Sequence, residues 1–363
     1  VIELLLYPIG KFVVIVLGFV MMLATVLTLL ERKQSALIQN RIGPNRAFLW
    51  GNRFLPGLSA FVGQIIADAL KVLLKEDFDP PFGNKWLHRI APAFAFIPAL
   101  LVWVVIPFGP GPTPGSEGHN YFQIADVNAG VLVVFAIASL SVYGATIGAW
   151  ASNSAYSLLG GLRTAAQMIS YEITLGLSLV GIFMIYESVR LNDIIWGQGD
   201  LLWGWCPSWG IVTQPLAFIL FFTASIAETK RAPFDLPEAE SELAAGYFTE
   251  YSSMRFALFS LGEFVGIIVV ASLTAILFLG GWQIPWVETP VDATGNPILG
   301  WITVAQVAFF IFKVIAVVLL QMQIRWTLPR FRYDQVMRLG WVILLPLSLA
   351  NVAVTAIVLY VMR

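Results

Sequence analysis

Eight stretches of mostly apolar residues, about 18 to 25 long, divide this chain, and runs of that length can cross a hydrocarbon core about 30 Å thick. They fall at roughly 8 to 30, 91 to 108, 126 to 150, 165 to 188, 214 to 229, 252 to 280, 302 to 325 and 340 to 361. Lipid offers the backbone no hydrogen bonds, so each stretch is expected to be a helix. With 58% hydrophobic and 12% charged side chains, the chain lies far from the composition of a soluble domain, in which about a quarter of residues are charged. The first apolar run is followed by Glu31, Arg32 and Lys33. A secretory signal carries its positive charge before the apolar core, so this run is read as a retained first helix.

The basic residues set the expected orientation. Of the 21 Lys and Arg, 17 lie in the connections after helices one, three, five and seven. By the positive-inside rule these connections face the cytoplasm or the mitochondrial matrix, and both termini lie on the outer side. The expected fold is an all-α polytopic membrane protein: one membrane domain over residues 1–363 with eight transmembrane helices. Cytoplasmic-side loops are expected at 31–90, 151–164, 230–251 and 326–339. Within the first of them, Gln64, Asp68, Lys71 and Lys75 recur at helical spacing, while Phe61, Ile65, Ala69, Val72 and Leu73 share the opposite side. An amphipathic interfacial helix is therefore predicted over 58 to 76. The outer loops, including 196 to 209 with its four tryptophans and 281 to 297 with its three prolines, read as turns and an aromatic belt. A net charge of -1 leaves no basic field for nucleic acid.

Against this background the segment from Glu228 to Glu250 stands out. Glu228, Asp235, Glu238, Glu240, Glu242 and Glu250 crowd into 23 residues, whereas the remaining 340 hold 16 acids. Pro233 and Pro237 are expected to hold residues 234 to 236 extended. Glu238 and Glu242 are expected to share a helical face, where like charges repel and raise carboxyl pKa values. Deeper charges accompany the loop. Counted from the cytoplasmic ends of their helices, Glu172 lies about 11 Å deep, Glu263 about 17 Å and Lys313 about 18 Å. Each ion at mid-membrane costs about 2.5 to 3.5 kcal/mol on insertion scales, so each needs a partner or a purpose. One purpose is a proton relay that starts at the loop. The plainer alternatives are a Glu263 to Lys313 ion pair that fixes helix packing, and a loop of solvated acids. Cys206, His88 and His119 show none of the paired spacings of iron–sulfur, zinc or haem sites, so no redox metal is assigned to this chain alone.

The run E-T-K-R-A-P-F-D-L-P-E-A-E-S-E-L-A-A-G-Y-F-T-E-Y from Glu228 resembles the signature of the quinone-chamber membrane subunit of respiratory complex I, the proton-pumping NADH:quinone oxidoreductase. Further matching stretches are E-R-K from Glu31, R-I-G-P-N-R from Arg41, A-D-A-L-K from Ala67, K-E-D from Lys75 and G-A-W-A-S-N-S from Gly148. L-L-G-G-L-R from Leu158, S-Y-E from Ser170, G-G-W from Gly280 and R-F-R-Y-D-Q from Arg330 extend the match over nearly the whole chain.

The resemblance implies eight transmembrane helices whose cytoplasmic loops meet the peripheral arm and close a long quinone tunnel. Electrons would reach the quinone, ubiquinone or menaquinone, from an iron–sulfur cluster in a neighbouring subunit. Asp68, Glu172, Glu228, Asp235, Glu238, Glu240, Glu242, Glu250 and Glu263 match the acidic path from quinone to the membrane pumps; Lys313 matches a family lysine and is expected to join the same relay. Arg32, Arg41, Arg46, Phe234, Phe259 and Arg325 match positions at the tunnel. Arginines there can orient quinone oxygens or anionic lipid heads, and aromatics can wall an isoprenoid tail.

The implied partners are the other complex I subunits, including the peripheral-arm iron–sulfur and quinone-site subunits and small membrane subunits, together with lipids. The implied location is the bacterial cytoplasmic membrane or the mitochondrial inner membrane. Two departures are visible. Between Gly43-Pro44-Asn45 and Ala67-Asp68-Ala69 lie 21 residues, longer than is usual, and Ser139 stands where some members carry a glutamate. Two other readings remain: a related anchor subunit of a membrane-bound hydrogenase or formate hydrogen-lyase without quinone, and a free-standing ion transporter.

Overall fold

The structure is a computed structural model that describes residues 2–44, 56–116, 120–202, 204–293 and 295–362, with backbone alone for 2–6, 56–61 and 240–241. Arg46, His119 and the side chains of Phe61 and Glu240 therefore lie outside the described residues. Nine helices carry the described architecture: α1 (Tyr7–Ile38), α2 (Pro56–Leu74), α3 (Lys85–Val104), α4 (Gly130–Ala151), α5 (Ala155–Tyr186), α6 (Pro215–Glu228), α7 (Ser253–Phe278), α8 (Trp301–Thr327) and α9 (Tyr333–Met362). Seven of them, all except α2 and α6, are long and apolar enough to cross a membrane. The fifth expected stretch is α6, which has 14 residues. It opens with Pro215 in its first turn, where the missing N–H costs nothing, and Lys230 just beyond its end has a φ of 56°.

Most helices outrun their apolar stretches. α1 continues through Glu31, Arg32 and Lys33 to Ile38, and α3 begins at Lys85, where Asn84 Oδ1 accepts the N–H groups of Trp86 and Leu87 at 3.1 and 3.3 Å. The ends of the segments expected as loops are thus helical. Hydropathy marks only the apolar part of a helix, while caps and charged turns extend it into the polar zone. α2 lies within two residues of its predicted place.

Burial shows how the helices are arranged. α7 is the central one, with 72% of its most apolar window buried, against 22% for α9 and 28% for α1 and α4. A helix that is apolar all round belongs either in a core or against lipid, and α7 takes the core while α9 and α4 keep apolar faces outward. α3 packs on α4 and α7, α5 on α6 and α9, and α8 on α7. Gly144 of α4 lies directly against the backbone of Ala95 in α3, the close approach that small residues permit between membrane helices. β-structure among the described residues is limited to a hairpin of Leu201–Leu202 with Cys206–Pro207 and a bridge between Val291 and Pro297.

Candidate functional site: a buried ion network under the acidic loop

Between α6 and α7 the chain folds back into the protein as a series of tight turns. Phe234 N–H donates to Arg231 O and Leu236 N–H to Phe234 O, both at 2.9 Å, so residues 234 to 236 are turned, not extended as expected. Both neighbouring prolines lack an N–H, and the few donors left in the segment close local rings. From α5, Gln167 Nε2 reaches under the loop and donates to Ala227 O at 2.7 Å and Phe234 O at 2.9 Å. A single helical turn, Glu240–Leu243, and a 3-10 turn, Gly246–Phe248, complete the path to α7.

At Gly246 φ is +54°, and a Cβ there would collide with the carbonyl oxygen of Pro237. Gly246→Ala is expected to cost about 1 to 2 kcal/mol in left-handed strain before the clash is counted. The loop must then shift, which should appear as faster proteolysis between residues 232 and 250 in the assembled protein.

This turn geometry directs charges inward. Arg231 stands 3.4 Å from Glu31 Oε2 and 3.5 Å from Glu263 Oε2, with its side chain 12% exposed and that of Glu263 8% exposed. Glu31 is also ion-paired with Arg325 from α8. Tyr247 donates its hydroxyl to Glu263 Oε1 at 3.0 Å and accepts from Lys230 Nζ at 3.3 Å. Asp235 is paired with Arg330 at 2.6 Å through one oxygen, and its buried Oδ1 has no hydrogen-bond partner.

The loop's own groups are shifted by this burial. Desolvation pushes the Asp235 carboxyl up to about 6, against the pull of Arg330. Glu238 is held well above the usual carboxylate range, by burial first and by Glu263 and Asp235 after it. Burial also lowers the Lys230 ammonium, although Glu263 and Glu238 favour its charge. The helical face expected to hold both Glu238 and Glu242 does not form. The helical turn begins after Glu238, and Glu242 turns to Arg163 of α5 at 2.6 Å.

A cavity of about 80 Å3 opens beside this network, walled by α3, α4, α5 and α7, with Glu228, Lys230, Phe259 and Glu263 in its lining. One buried water needs about 10 to 15 Å3 on the same measure, so the space admits several waters and no bulky ligand. Glu172 of α5 lies within electrostatic reach of Glu228. Ser139 turns its hydroxyl to Ala136 O at 3.1 Å, and Ser141 is the α4 hydroxyl at the cavity wall.

The predicted site residues therefore divide. Glu228, Glu263 and Phe259 meet at the cavity; Asp235 and Glu238 sit just above it; Arg325 joins through Glu31. Phe234 is buried between the rings of Tyr171 and Phe331, with centroids 5.6 and 5.5 Å away. Arg32 and Asp68 pair with each other at 2.8 Å, tying α1 to α2, and Gln64 donates to the same carboxylate at 3.1 Å. Arg41 stays at the surface with Gln39 and Ser35, and Glu250 is half-buried at the turn before α7.

Lys313 stands apart from Glu263. Its ammonium donates to the carbonyls of Leu279, Gly281 and Gln283 at 2.6, 2.9 and 2.9 Å, and it lies over the rings of Phe309 and Trp209. Leu279 is 16 residues beyond Glu263, about 24 Å along α7. Lys313 and Glu263 form no pair. Matching depths by counting from helix ends assumes that the two ends share one level, and here they do not.

Glu31, Lys230, Arg231 and Tyr247 are central to the network but absent from the predicted set. Glu31 is the one with a sequence signal: a carboxylate set directly against the last apolar turn of α1, ahead of two basic residues. Tyr247 and Arg231 carry none, because a tyrosine in an acidic loop and one member of a Lys-Arg pair look like ordinary surface residues.

Comparison with known proteins agrees with this architecture. The family model described as NADH dehydrogenase matches residues 10–356. The H-type subunit of NADH-quinone oxidoreductase, copy 1, of Geobacter metallireducens is 45% identical over 340 residues, covering 94% of this chain and 93% of that protein. Copy 2 of the same type of subunit in Geobacter sulfurreducens is 44% identical over 350 residues, 96% of each chain. Copy 2 from Rhizobium meliloti is 42% identical over 347 residues, 95% of each.

Proposed function

Because this chain belongs to the NADH dehydrogenase family, as a membrane subunit of NADH-quinone oxidoreductase of the complex I subunit 1 type, we propose that it walls a quinone tunnel and couples quinone reduction to proton translocation. In this reading α6 is the eighth crossing, both termini lie on the outer side, and the segments 31–90, 151–164, 230–251 and 326–339 meet the peripheral arm. The neighbours are the iron–sulfur and quinone-site subunits of that arm and small membrane subunits. The membrane is the bacterial cytoplasmic or mitochondrial inner one. The quinone, ubiquinone or menaquinone, is a substrate that takes its electrons from the iron–sulfur subunit.

The observation that carries the coupling half is the gathering of acids around Glu263: Tyr247 and Glu238 hydrogen-bond to it, Asp235 acts electrostatically on Glu238, and Glu228, within electrostatic reach of Glu172, shares its cavity. A core built for stability alone would be apolar there, since each buried ion costs several kcal/mol before pairing. Arg231, set almost equally far from Glu31 and Glu263, is placed to respond to charge on either. Two-electron reduction of a quinone takes up two protons. Negative charge arriving near Asp235 and Glu238 raises their proton affinity, and a guanidinium drawn towards it leaves Glu263 with less compensation. A proton then moves to Glu263 and through cavity water to Glu228. Arg32, Arg41, Arg46, Phe234, Phe259 and Arg325 belong to the quinone tunnel, while Asp68, Glu240, Glu242 and Glu250 belong with the acids of the path.

The tunnel half is tested with an azido-quinone on the intact complex. Photolabelling is expected on peptides containing Arg32 to Arg41, 56 to 74 or 229 to 238 of this chain, and a quinone-site inhibitor should suppress it. Labelling confined to other subunits would remove the tunnel from this chain while leaving the coupling reading untouched.

A further inference from the structure

At the end of α7 remote from the acidic loop, a cleft of about 510 Å3 opens between the segments 196 to 209 and 283 to 289. Its size lies within the range of about 300 to 1,000 Å3 typical of small-molecule sites. Trp196, Trp209 and Trp286 supply aromatic walls, Asp200 and Glu288 supply carboxylates, and Gln283 lies in the lining. We infer that this cleft binds an organic ammonium group, primary or quaternary, carried by a small solute or by a lipid headgroup.

Two observations converge on that chemistry. Tryptophan faces attract cations more strongly than other side chains do, and organic ammonium recognition is their characteristic use. Asp200 and Glu288 form no ion pair among the described residues, so the cleft holds two uncompensated negative charges.

The wall is already used in this way from its inner side: the Lys313 ammonium lies 4.6 Å from the centre of the Trp209 ring. Lys313 is buried, spends its three donors on backbone carbonyls and is not part of the cleft lining, so its charge is largely offset where it lies. Two carboxylates outweigh it at the opening. A plain belt of interfacial tryptophans would not need those acids.

The test uses the intact complex and the photoreactive probe (4-benzoylbenzyl)trimethylammonium, with labelled peptides mapped by mass spectrometry. Labelling is expected within residues 196 to 209 or 283 to 289, falling at least tenfold in the variant carrying Asp200→Asn and Glu288→Gln. Trp286 is 72% exposed, so Trp286→Ala leaves the fold intact. It should lower labelling several-fold at unchanged quinone reductase activity. Competition by choline but not by dihexanoyl phosphatidylcholine identifies a solute site, and competition by the lipid identifies a headgroup site. Failure of both to compete, or labelling spread over the outer tryptophans without dependence on Asp200 and Glu288, would overturn the assignment. The outcome is independent of the quinone and relay reading, which the labelled residues do not serve.

Discussion

Replacing Arg231 by methionine is expected to destabilise the protein by about 3 to 5 kcal/mol, the usual consequence of removing one partner from a buried ion pair. Methionine keeps much of the volume of the side chain, so the loss is electrostatic. The two carboxylates do not suffer equally. Glu31 keeps Arg325, whereas Glu263 loses its direct ion pair and is left with hydrogen bonds to Tyr247 and Glu238, and Lys230 beyond Tyr247. The second substitution that best rescues assembly should therefore be Glu263→Gln and not Glu31→Gln. Thermal stability of the purified complex, measured for both double variants, checks this order. An Arg231→Met protein that assembles and unfolds like the parent would show that the network contributes nothing to the fold.

Glu263→Gln alone is expected to lower proton translocation at least tenfold while the complex still assembles. The amide oxygen can accept from Tyr247 as the carboxylate does, and Arg231 keeps Glu31, so the packing around α7 persists while the charge facing Arg231 and the capacity to bind and release a proton are lost. A tenfold loss corresponds to about 1.4 kcal/mol in the barrier, well within what one proton-transfer group supplies. Pumping is read in proteoliposomes with a pH-sensitive dye, alongside quinone reduction in the same vesicles. Parent-like pumping at parent-like complex content would sink the relay. A drop in both rates with poor assembly would instead assign Glu263 a structural role.

How far these sites could be read from the chain depends on which physical signal each one leaves. A helix across a membrane writes its length into hydropathy, and all eight stretches contain helices. Their ends were less legible, because Lys85 or Glu31 within a helix looks like a flank. In the loop, the acids were visible as composition, but their partners were not. Glu242 pairs with Arg163 and Asp235 with Arg330, contacts 79 and 95 residues apart that no local spacing encodes. Arg231 and Tyr247 become central only because the turns at Phe234 and Gly246 direct that segment inward. The partners of Lys313 stay hidden for the opposite reason. Its charge was conspicuous, but a backbone carbonyl has no signature in the sequence, so a carboxylate looked like its natural partner.

The carbonyl clamp on Lys313 has a mechanical consequence. With its far end bound through Leu279 and Gly281 to α8, α7 is a beam fixed at one support, and its other end carries the loop. A tilt of about 5° about that support would swing Glu263, roughly 24 Å away, through about 2 Å, the difference between a made and a broken hydrogen bond. Leverage of that kind lets a small displacement at the loop decide which neighbour Glu263 touches, with no rearrangement at the clamped end.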